Sequence, residues 1–192
     1  MQKRQLGPCV TFFPQPATLI GSRDEHQVVN LMMASWVGIV SKTPPTIAVS
    51  LHHGRKTYAN IQATEVFSVN VVPAELAVEA DACGLASGQK VDKQRLTGLK
   101  VTAGTQIDVP LVDAAPLNVE CRYQQEVALG DYRLVIGEIL EIHAKEAAFG
   151  HDGKSNIRLF DPLVYLGGLR EYWSLGSKVA DAYSDGLSLL KD

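Results

Sequence analysis

Residues 117–142 decide the fold: they read LNVECRYQQEVAL over 117–129, Gly130-Asp131, and then YRLVIGEILEI over 132–142. In the first segment apolar residues such as Val119 and Cys121 alternate with polar ones, and this period of two is typical of a β-strand with one buried face. A glycine and an aspartate between two such segments favour a tight turn. The sequence therefore predicts an antiparallel pair of strands joined at Gly130-Asp131.

The second of these segments is apolar on both faces. Leu134 and Ile136 lie on one side of the predicted strand, and Val135 and Ile139 lie on the other. A strand that is buried on both faces needs a second layer outside the sheet. We expect that layer to be a packed helix or a second copy of the chain.

Further strand signals follow one another at short spacing. They cover residues 17–20, 32–40, 46–51 and 65–71, and helical signals cover only residues 57–63, 73–85 and about 174–190. Helical crossovers between the strands are missing, which excludes a doubly wound sheet and favours a mainly β (α+β) Greek-key barrel or sandwich with short peripheral helices. No composition shift divides the chain, so we expect one domain over residues 1–192, with the C-terminal helix packed on the barrel or on a partner.

Composition and charge narrow the class of protein. The 192 residues carry a formal net charge of −3, which provides no basic surface for nucleic acid. No apolar run approaches the roughly 18 residues of a membrane span, and the first residues lack the apolar core of a signal peptide. The three cysteines are odd in number and far apart, which argues against disulfides or a zinc site. We therefore expect a reduced, cytoplasmic protein.

Motifs for other chemistries are incomplete. Residues 84–90 lack the spacing and the final Ser or Thr of a P-loop, and no GxGxxG motif follows a strand. The adjacent His52 and His53 would point to opposite faces of a strand, which is a poor arrangement for one metal ion. No GxSxG or HExxH motif occurs. The residues therefore give no support for hydrolytic or metal-dependent reactions.

Several segments, taken in order, resemble those of flavin reductase-like proteins. They are NLMMASWVG over residues 30–38 with SKTPP over 41–45, SL at 50–51 with RKTY at 55–58, SGQKVDK over 87–93 with GL at 98–99, GDY at 130–132, and REYWSLG over 170–176. The last segment is similar to the tail of flavoredoxins, a subgroup of that family. This resemblance covers essentially the whole chain. It implies a Greek-key split β-barrel, a homodimer with FMN near the subunit interface, and electron transfer from NAD(P)H or a redox protein.

The phosphate of FMN would need an anion-binding cradle. Arg55, Lys56 and Thr57 at a helix start offer positive charge, a hydroxyl and free backbone N–H groups, which suit an anion. The same segment could instead be an ordinary capped helix flanked by solvated basic residues. The resemblance favours the phosphate.

The flavin ring would need apolar or aromatic walls and polar groups along one edge. Asn30, Met32 and Trp36 are separated by even numbers of residues, so on one strand they would share a face. The core would also suit Met32 and Trp36, and a turn would suit Asn30, but the resemblance favours cofactor contacts. It also assigns four neighbouring positions to the cofactor: Met33, Ser35, Ser50 and Leu51.

Lys93 is the residue that we expect to stabilise the negative charge of a reduced flavin. The alternative is an exposed helical lysine paired with Asp92. The resemblance adds Tyr132 and Tyr165 as contacts with the ring, from the same subunit or from the partner.

These features together predict an FMN-dependent oxidoreductase of the flavin reductase type. The cofactor would carry the redox chemistry, so no catalytic acid–base pair is required of the chain. An oxidase similar to pyridoxamine-phosphate oxidases would need further basic residues for a second phosphate. A non-catalytic flavin-binding or haem-binding module is the alternative from a different class.

Overall fold

The computed structural model describes residues 2–150 and 156–190. The strands are β1 Gln15–Pro16, β2 Thr18–Arg23, β3 Val29–Ala34, β4 Val37–Lys42, β5 Pro45–His52, β6 Val66–Val71, β7 Val101–Ala103, β8 Pro110–Val112, β9 Leu117–Leu129, β10 Tyr132–Ala144, β11 Val164–Leu166 and β12 Glu171–Trp173. The α-helices are α1 Lys56–Thr64, α2 Ala77–Leu85, α3 Lys93–Thr97 and α4 Ile157–Phe160. Short 3-10 helices cover Ala74–Leu76, Glu146–Ala148 and Asp185–Leu190.

Seven strands form one antiparallel sheet in the order β3-β2-β6-β9-β10-β5-β4. β3 and β5 are not hydrogen-bonded neighbours, yet they contact each other, so the sheet curls until these two strands meet. Strands β1, β11 and β12 form a second sheet, and β7 pairs with β8. The meeting of β3 and β5 is where the candidate site lies.

The predicted hairpin of residues 117–142 is confirmed as β9 and β10. Tyr132 lies opposite Leu129 across the turn, and the pairing continues to Ala144 with two register shifts. Gly130 in that turn has a φ of +59°, a conformation that glycine adopts without steric cost. The alternating pattern and the turn residues were therefore sufficient to predict this part of the sheet.

The outer face of β10 is only partly covered within one chain. Val135 is fully buried in the core, whereas Ile142 is 47% exposed. Leu134 and Ile136 are half-buried, and Ile139 packs against the core cluster with Val135. The second layer expected over this strand is thus incomplete in the described part of a single chain.

The single strand predicted for residues 32–40 is wrong. β3 ends at Ala34 and β4 begins at Val37, because the chain changes partner there: β3 pairs with β2, and β4 pairs with β5. Between them the Trp36 carbonyl oxygen accepts a hydrogen bond from the Ser50 backbone N–H at 2.9 Å. Trp36 therefore does not share a strand face with Asn30, as the even spacing suggested.

The helix expected over residues 174–190 is also wrong. Residues 174–181 have no regular structure, and only Asp185–Leu190 forms a 3-10 helix. Val179 is 97% exposed, and Tyr183 has a left-handed backbone with φ of 61°. An amphipathic helix obtains most of its stability from packing its apolar face, and here the apolar residues of that face, Leu175 and Val179 among them, stay at least half exposed.

Two apolar clusters form the core. One fills the curled sheet and includes Ile20, Val49, Ile61, Phe67 and Val135. The other lies between the sheet and α2 and includes Leu19, Leu31, Val72, Cys83 and Val112. Both are built from alternate residues of the strands, as the period-two pattern requires. Among the described residues, the helices fall short of the length and hydropathy that crossing a membrane requires.

Candidate functional site

A cavity of about 370 Å³ opens where β3, the end of β5, the start of α1, the loop after α2 and the start of β10 meet. This volume falls within the range of small-molecule sites. Its lining residues are mostly polar or basic: Asn30, Met32, His52, Gly54, Arg55, Lys56, Thr57, Ala86, Ser87, Gly88, Lys93 and Tyr132.

A second cavity of about 150 Å³ adjoins the first. Met32, His52, Arg55 and Tyr132 line both cavities. The second is bounded further by Met33, Ala34, Ser35, Trp36, Ser50 and Leu51. Together the two cavities bring together every sequence-predicted site residue except Tyr165.

The start of α1 presents backbone donors to the first cavity. Arg55 is the N-cap residue, its side chain makes no capping bond, and the first turn contains no acidic residue. In the described part of the chain the N–H groups of Lys56 and Thr57 have no hydrogen-bond partner, as expected of a first helical turn. These groups and the helix dipole favour an anion at this position.

The charge of Lys56 is already paired. Its Nζ lies 3.0 Å from Oδ2 of Asp24, and both side chains are about four-fifths buried. The pKa of Asp24 is lowered first by the backbone N–H of Val28 and then by Lys56. Arg55 and Lys93 are therefore the basic side chains of the first cavity that lack a carboxylate partner among the described residues.

Lys93 is buried, which contradicts the alternative of an exposed lysine paired with Asp92. Its side chain is 3% exposed, and Nζ donates a hydrogen bond to the Cys83 carbonyl oxygen at 2.6 Å. Burial lowers the pKa of Lys93, and the charge of Arg55 lowers it further. Asp92 instead caps α3 by accepting the Arg95 backbone N–H at 3.1 Å. The lysine thus presents its remaining N–H groups at the cavity wall.

An aromatic group marks the border between the cavities. The rings of Trp36 and Tyr132 have centroids 5.1 Å apart, and the His52 ring meets Tyr132 edge-on at 5.7 Å. His53 stacks on His52 at 4.8 Å. The expectation that the two histidines point to opposite faces is wrong because β5 ends at His52, and His53 already belongs to the turn.

The hydrogen bonds of His52 determine its tautomer. Its Nδ1 accepts the backbone N–H of Gly54 at 3.0 Å, so the neutral ring carries its hydrogen on Nε2. A Cβ at residue 54 would lie 3.2 Å from that Nδ1, tighter than most real contacts. Glycine therefore allows this close approach, and His52 lines both cavities.

Tyr165 does not belong to this site within one chain. It lies on β11, paired with Gln15 of β1 and Tyr172 of β12. Its ring is 5.4 Å from that of Tyr172, in the smaller sheet. A contact between Tyr165 and a ligand in a partner subunit stays a prediction.

Sequence reasoning gave no role to several residues that line the first cavity. They are His52, Gly54, Ala86, Ser87 and Gly88. Ser87 and Gly88 lie within the SGQKVDK segment, so their resemblance to the family was the available signal. His52 offered none, because its role depends on where β5 ends.

The curled antiparallel sheet and the donor-rich cavity define a β-barrel protein with a cavity of a size that suits a small molecule. Residues 10–174 match the family model described as "Flavin reductase like domain", and the chain therefore belongs to the flavin reductase-like family. The fold is similar to flavoredoxin of Desulfovibrio vulgaris (Miyazaki F), with TM-score 0.91 and 31% identity, covering 96% of this chain and all of that one.

Two further similarities are more distant. A Shewanella frigidimarina NCIMB 400 structure described as having a split barrel domain gives TM-score 0.79 at 23% identity, covering 88% of this chain and 86% of that one. It bears on the fold alone, and it agrees with the predicted mainly β split barrel, which is confirmed. FMN reductase (NADH) RutF of Pseudomonas syringae pv. syringae (strain B728a) is 26% identical over 149 residues, 78% of this chain and 74% of that protein.

Proposed function

We propose that this protein binds FMN across the two adjoining cavities and transfers electrons through it, as a flavin reductase or a flavoredoxin-like carrier. The observation that carries the proposal is the donor-rich start of α1 directly beside an aromatic cavity, in a chain of the flavin reductase-like family. Each half of this arrangement matches one chemical demand of FMN.

The first cavity suits the phosphate end of FMN. The N–H groups of Lys56 and Thr57, the Thr57 hydroxyl and the Arg55 guanidinium are all donors, and a phosphate offers only acceptors at neutral pH. A polar site of this kind fits a phosphorylated ligand.

The second cavity suits a planar ring. Trp36 and Tyr132 provide aromatic surface, and Met32 provides an adaptable apolar wall. Lys93 and the Nε2–H of His52 are donors on the side of the first cavity. Donors beside the ring are what an acceptor-rich isoalloxazine edge requires.

Bound FMN would supply the reversible uptake of electrons. The protein's part is binding and electrostatics. Lys93, fixed by its bond to the Cys83 carbonyl, holds a cationic group in a buried position where it favours negative charge on a neighbour. The aromatic border and α1 keep the ligand oriented and limit the access of water. Met33, Ser35, Ser50 and Leu51 complete the wall.

The partners belong to the same proposal. We infer a homodimer, because the outer face of β10 leaves Ile142 47% exposed and a second subunit would cover it. NAD(P)H or a redox protein would be the electron donor, and the relative named FMN reductase (NADH) supports the nicotinamide. The unpaired cysteines fit a reducing compartment such as the cytoplasm.

The decisive experiment is the absorption spectrum of the purified protein, before and after incubation with FMN and gel filtration. We expect flavin bands and about one retained FMN per chain. A colourless protein that also fails to retain added FMN would refute the proposal. A haem spectrum would support the haem-binding alternative instead.

The electron donor is identified by mixing the FMN-loaded protein anaerobically with NADH or NADPH. Bleaching of the flavin band with either one identifies a reductase. Bleaching only with a reduced protein donor identifies a carrier. A flavin that accepts electrons from neither kind of donor would identify the non-catalytic binding module.

A further inference from the structure

Asn30 is held in one orientation by Gly88. Asn30 is 3% exposed, and its Oδ1 is buried without a hydrogen-bond partner among the described residues. A Cβ at Gly88 would overlap this Oδ1 and lie 3.0 Å from the Asn30 Cγ, so only glycine fits there. The neighbour of Oδ1 is therefore the Gly88 Cα–H, a weak donor. The reversed amide would turn an N–H group toward that C–H, which disfavours it.

This orientation decides the direction of the hydrogen bond between Asn30 and Thr57. The Asn30 Nδ2 donates to the Thr57 Oγ1 at 2.8 Å. A hydroxyl has one hydrogen to donate, and here its oxygen is already the acceptor. The Thr57 hydrogen must therefore point away from Asn30.

Thr57 differs in position from two other helical threonines of the chain, because as the second residue of α1 it has no helical carbonyl four residues earlier. Thr64 and Thr97 donate their hydroxyl hydrogens to carbonyl oxygens four residues earlier, those of Asn60 at 2.9 Å and Lys93 at 2.7 Å. In the described part of the chain Thr57 makes no such bond, although it is only 1% exposed. It lines the first cavity, so its hydrogen is available to a ligand there.

We propose that Asn30 is a positioning residue. Held by Gly88, Asn30 donates to the Thr57 hydroxyl oxygen, so that the Thr57 hydroxyl hydrogen is directed at an anionic oxygen of the ligand. The inference rests on the proposed binding of FMN, whose phosphate is the acceptor. It changes the role expected for Asn30, which acts through Thr57 and makes no cofactor bond of its own.

Riboflavin tests this role, because it carries the ring of FMN without the phosphate. The apoprotein is titrated with FMN and with riboflavin by quenching of flavin fluorescence. Thr57→Val should weaken FMN binding on the order of tenfold to a hundredfold, the range of a hydrogen bond to a charged group. Riboflavin binding should change by less than about threefold, since it has no phosphate to lose a donor. Thr57→Ser keeps the hydroxyl and should restore FMN affinity.

Asn30→Ala separates an indirect role from a direct contact. Alone, it should weaken FMN binding by roughly three- to tenfold, because a rotating hydroxyl donates only part of the time. In the Thr57→Val background it should have no further effect, since it acts through that hydroxyl. If Asn30→Ala weakened FMN binding as much in the Thr57→Val background as it does alone, Asn30 would contact FMN directly and the proposal would be overturned. Equal losses for FMN and riboflavin would overturn it as well.

Asn60→Ala is the matched control. Asn60 is 4% exposed and donates to the Ser22 hydroxyl at 3.0 Å, but it does not line either cavity. We expect it to lower the melting temperature without changing the ratio of FMN to riboflavin affinity. A changed ratio would mean that this ratio reports general destabilisation, and the proposal would fail.

Gly88 provides a test that needs no ligand. Gly88→Ala should lower the melting temperature of the apoprotein, because its Cβ meets the Asn30 carbonyl. Combined with Asn30→Ala, which removes that carbonyl, the same change should cost much less. If the decreases in melting temperature caused by Gly88→Ala and Asn30→Ala simply added, this would contradict the contact between Gly88 and the Asn30 carbonyl.

Different results would refute the proposed FMN binding and the inferred role of Asn30. A wild-type protein that binds neither flavin refutes the proposed function and the inference with it. A wild-type protein that binds FMN and riboflavin equally retains the proposed function but overturns the inference.

Discussion

Two groups of buried polar side chains in this protein differ in how fully their hydrogen bonds are satisfied. Glu120 on β9 is completely buried, and its carboxylate accepts the backbone N–H groups of Thr105, Gln106 and Ile107 at 2.7–2.9 Å. The ring of His143 on β10 lies 2.6 Å from the same carboxylate. Both carboxylate oxygens are thus in use, and together they hold the loop between β7 and β8 against the sheet.

The polar groups that line the first cavity, in contrast, have fewer hydrogen-bond partners than the groups around Glu120. The described residues provide no acceptor for the Thr57 hydroxyl, no donor for the Asn30 Oδ1 and one acceptor for the Lys93 ammonium group. A buried polar group without a partner costs free energy, so folding alone would not preserve such an arrangement. In the proposed function the unsaturated donors, Thr57 and Lys93, serve the ligand, whereas the Asn30 Oδ1 is left without a donor by its packing against Gly88.

The strongest test of this contrast is Glu120→Gln. The new amide would turn N–H hydrogens toward one or more donors of the 105–107 loop, so we expect a loss of about 3 kcal/mol in the free energy of unfolding. Urea denaturation measures it. Glu138→Gln is the control, because its partner Arg122 is 3.9 Å away at the surface and should cost less than about 1 kcal/mol. A similar loss of unfolding free energy for Glu120→Gln and Glu138→Gln would contradict the structural role of the buried Glu120 cluster.

The same carboxylate predicts how stability depends on pH. Burial alone would raise the pKa of Glu120, but the hydrogen bonds from His143 and the backbone outweigh burial and lower the pKa from 4.5 to about 2. A lowered folded-state pKa contributes stability above about pH 4.5 that is lost as the pH falls toward 2. Urea midpoints across this range should fall in the wild type and fall less steeply in Glu120→Gln.

Lys93→Met should change the reduction potential of bound flavin more than it changes the stability of the fold. It removes a buried charge with a single acceptor, so the free energy of unfolding should change by less than about 1 kcal/mol. Loss of the cation should lower the reduction potential of bound flavin by roughly 30 mV or more. Titration against redox dyes measures this, with exposed Lys90→Met as the control. An unchanged potential would remove Lys93 from the ring side of the site.

Trp36→Leu tests the aromatic border. We expect FMN and riboflavin affinities to fall together by about fivefold, since both carry the ring that Trp36 would contact. Trp36 is 37% exposed, so stability should barely change. The other tryptophan, Trp173, is the control, because it lies on β12 outside both cavities. A loss for FMN alone would assign Trp36 to the phosphate end.

Tyr165→Phe should have the smallest effect. Its hydroxyl makes no hydrogen bond in the described part of the chain, and the residue lies away from both cavities. FMN affinity should change by less than about twofold, a surface-like effect. Fluorescence titration showing a larger loss would indicate that Tyr165 reaches the site of a second subunit.

Local patterns predicted β2, β5, β6 and the central hairpin but not β1, β7, β8, β11 or β12, and most of the cavity residues came from the family resemblance. Alternation around Val119 and the turn at Gly130 predicted the central hairpin, because both signals are local. The segment Arg55-Lys56-Thr57 was predicted to bind a phosphate because the free N–H groups at a helix start favour an anion. Family resemblance located residues 87–93, which lie far along the chain from Asn30.

The failures have a common physical origin in tertiary structure. Trp36 was placed on the face of Asn30 because spacing alone cannot show that β3 gives way to β4 at residue 35. The sequence left an exposed Lys93 open as an alternative, because its contact with the Cys83 carbonyl is not visible in a helical pattern. The C-terminal stretch had the right period for a helix, but its apolar residues stay at least half exposed in the described part of the chain.

The one exposed and two buried cysteines lie in different segments and could report on how those segments open. Cys9 is exposed, whereas Cys83 on α2 and Cys121 on β9 are buried. Burial raises the pKa of Cys83 to about 11 and also raises that of Cys121, so neither thiol reacts while its segment stays closed. Alkylation rates at Cys83 would therefore follow local opening of α2, and those at Cys121 would follow global unfolding. A ligand that joins α1 to the loop after α2 would slow labelling at Cys83 and leave Cys9 unchanged.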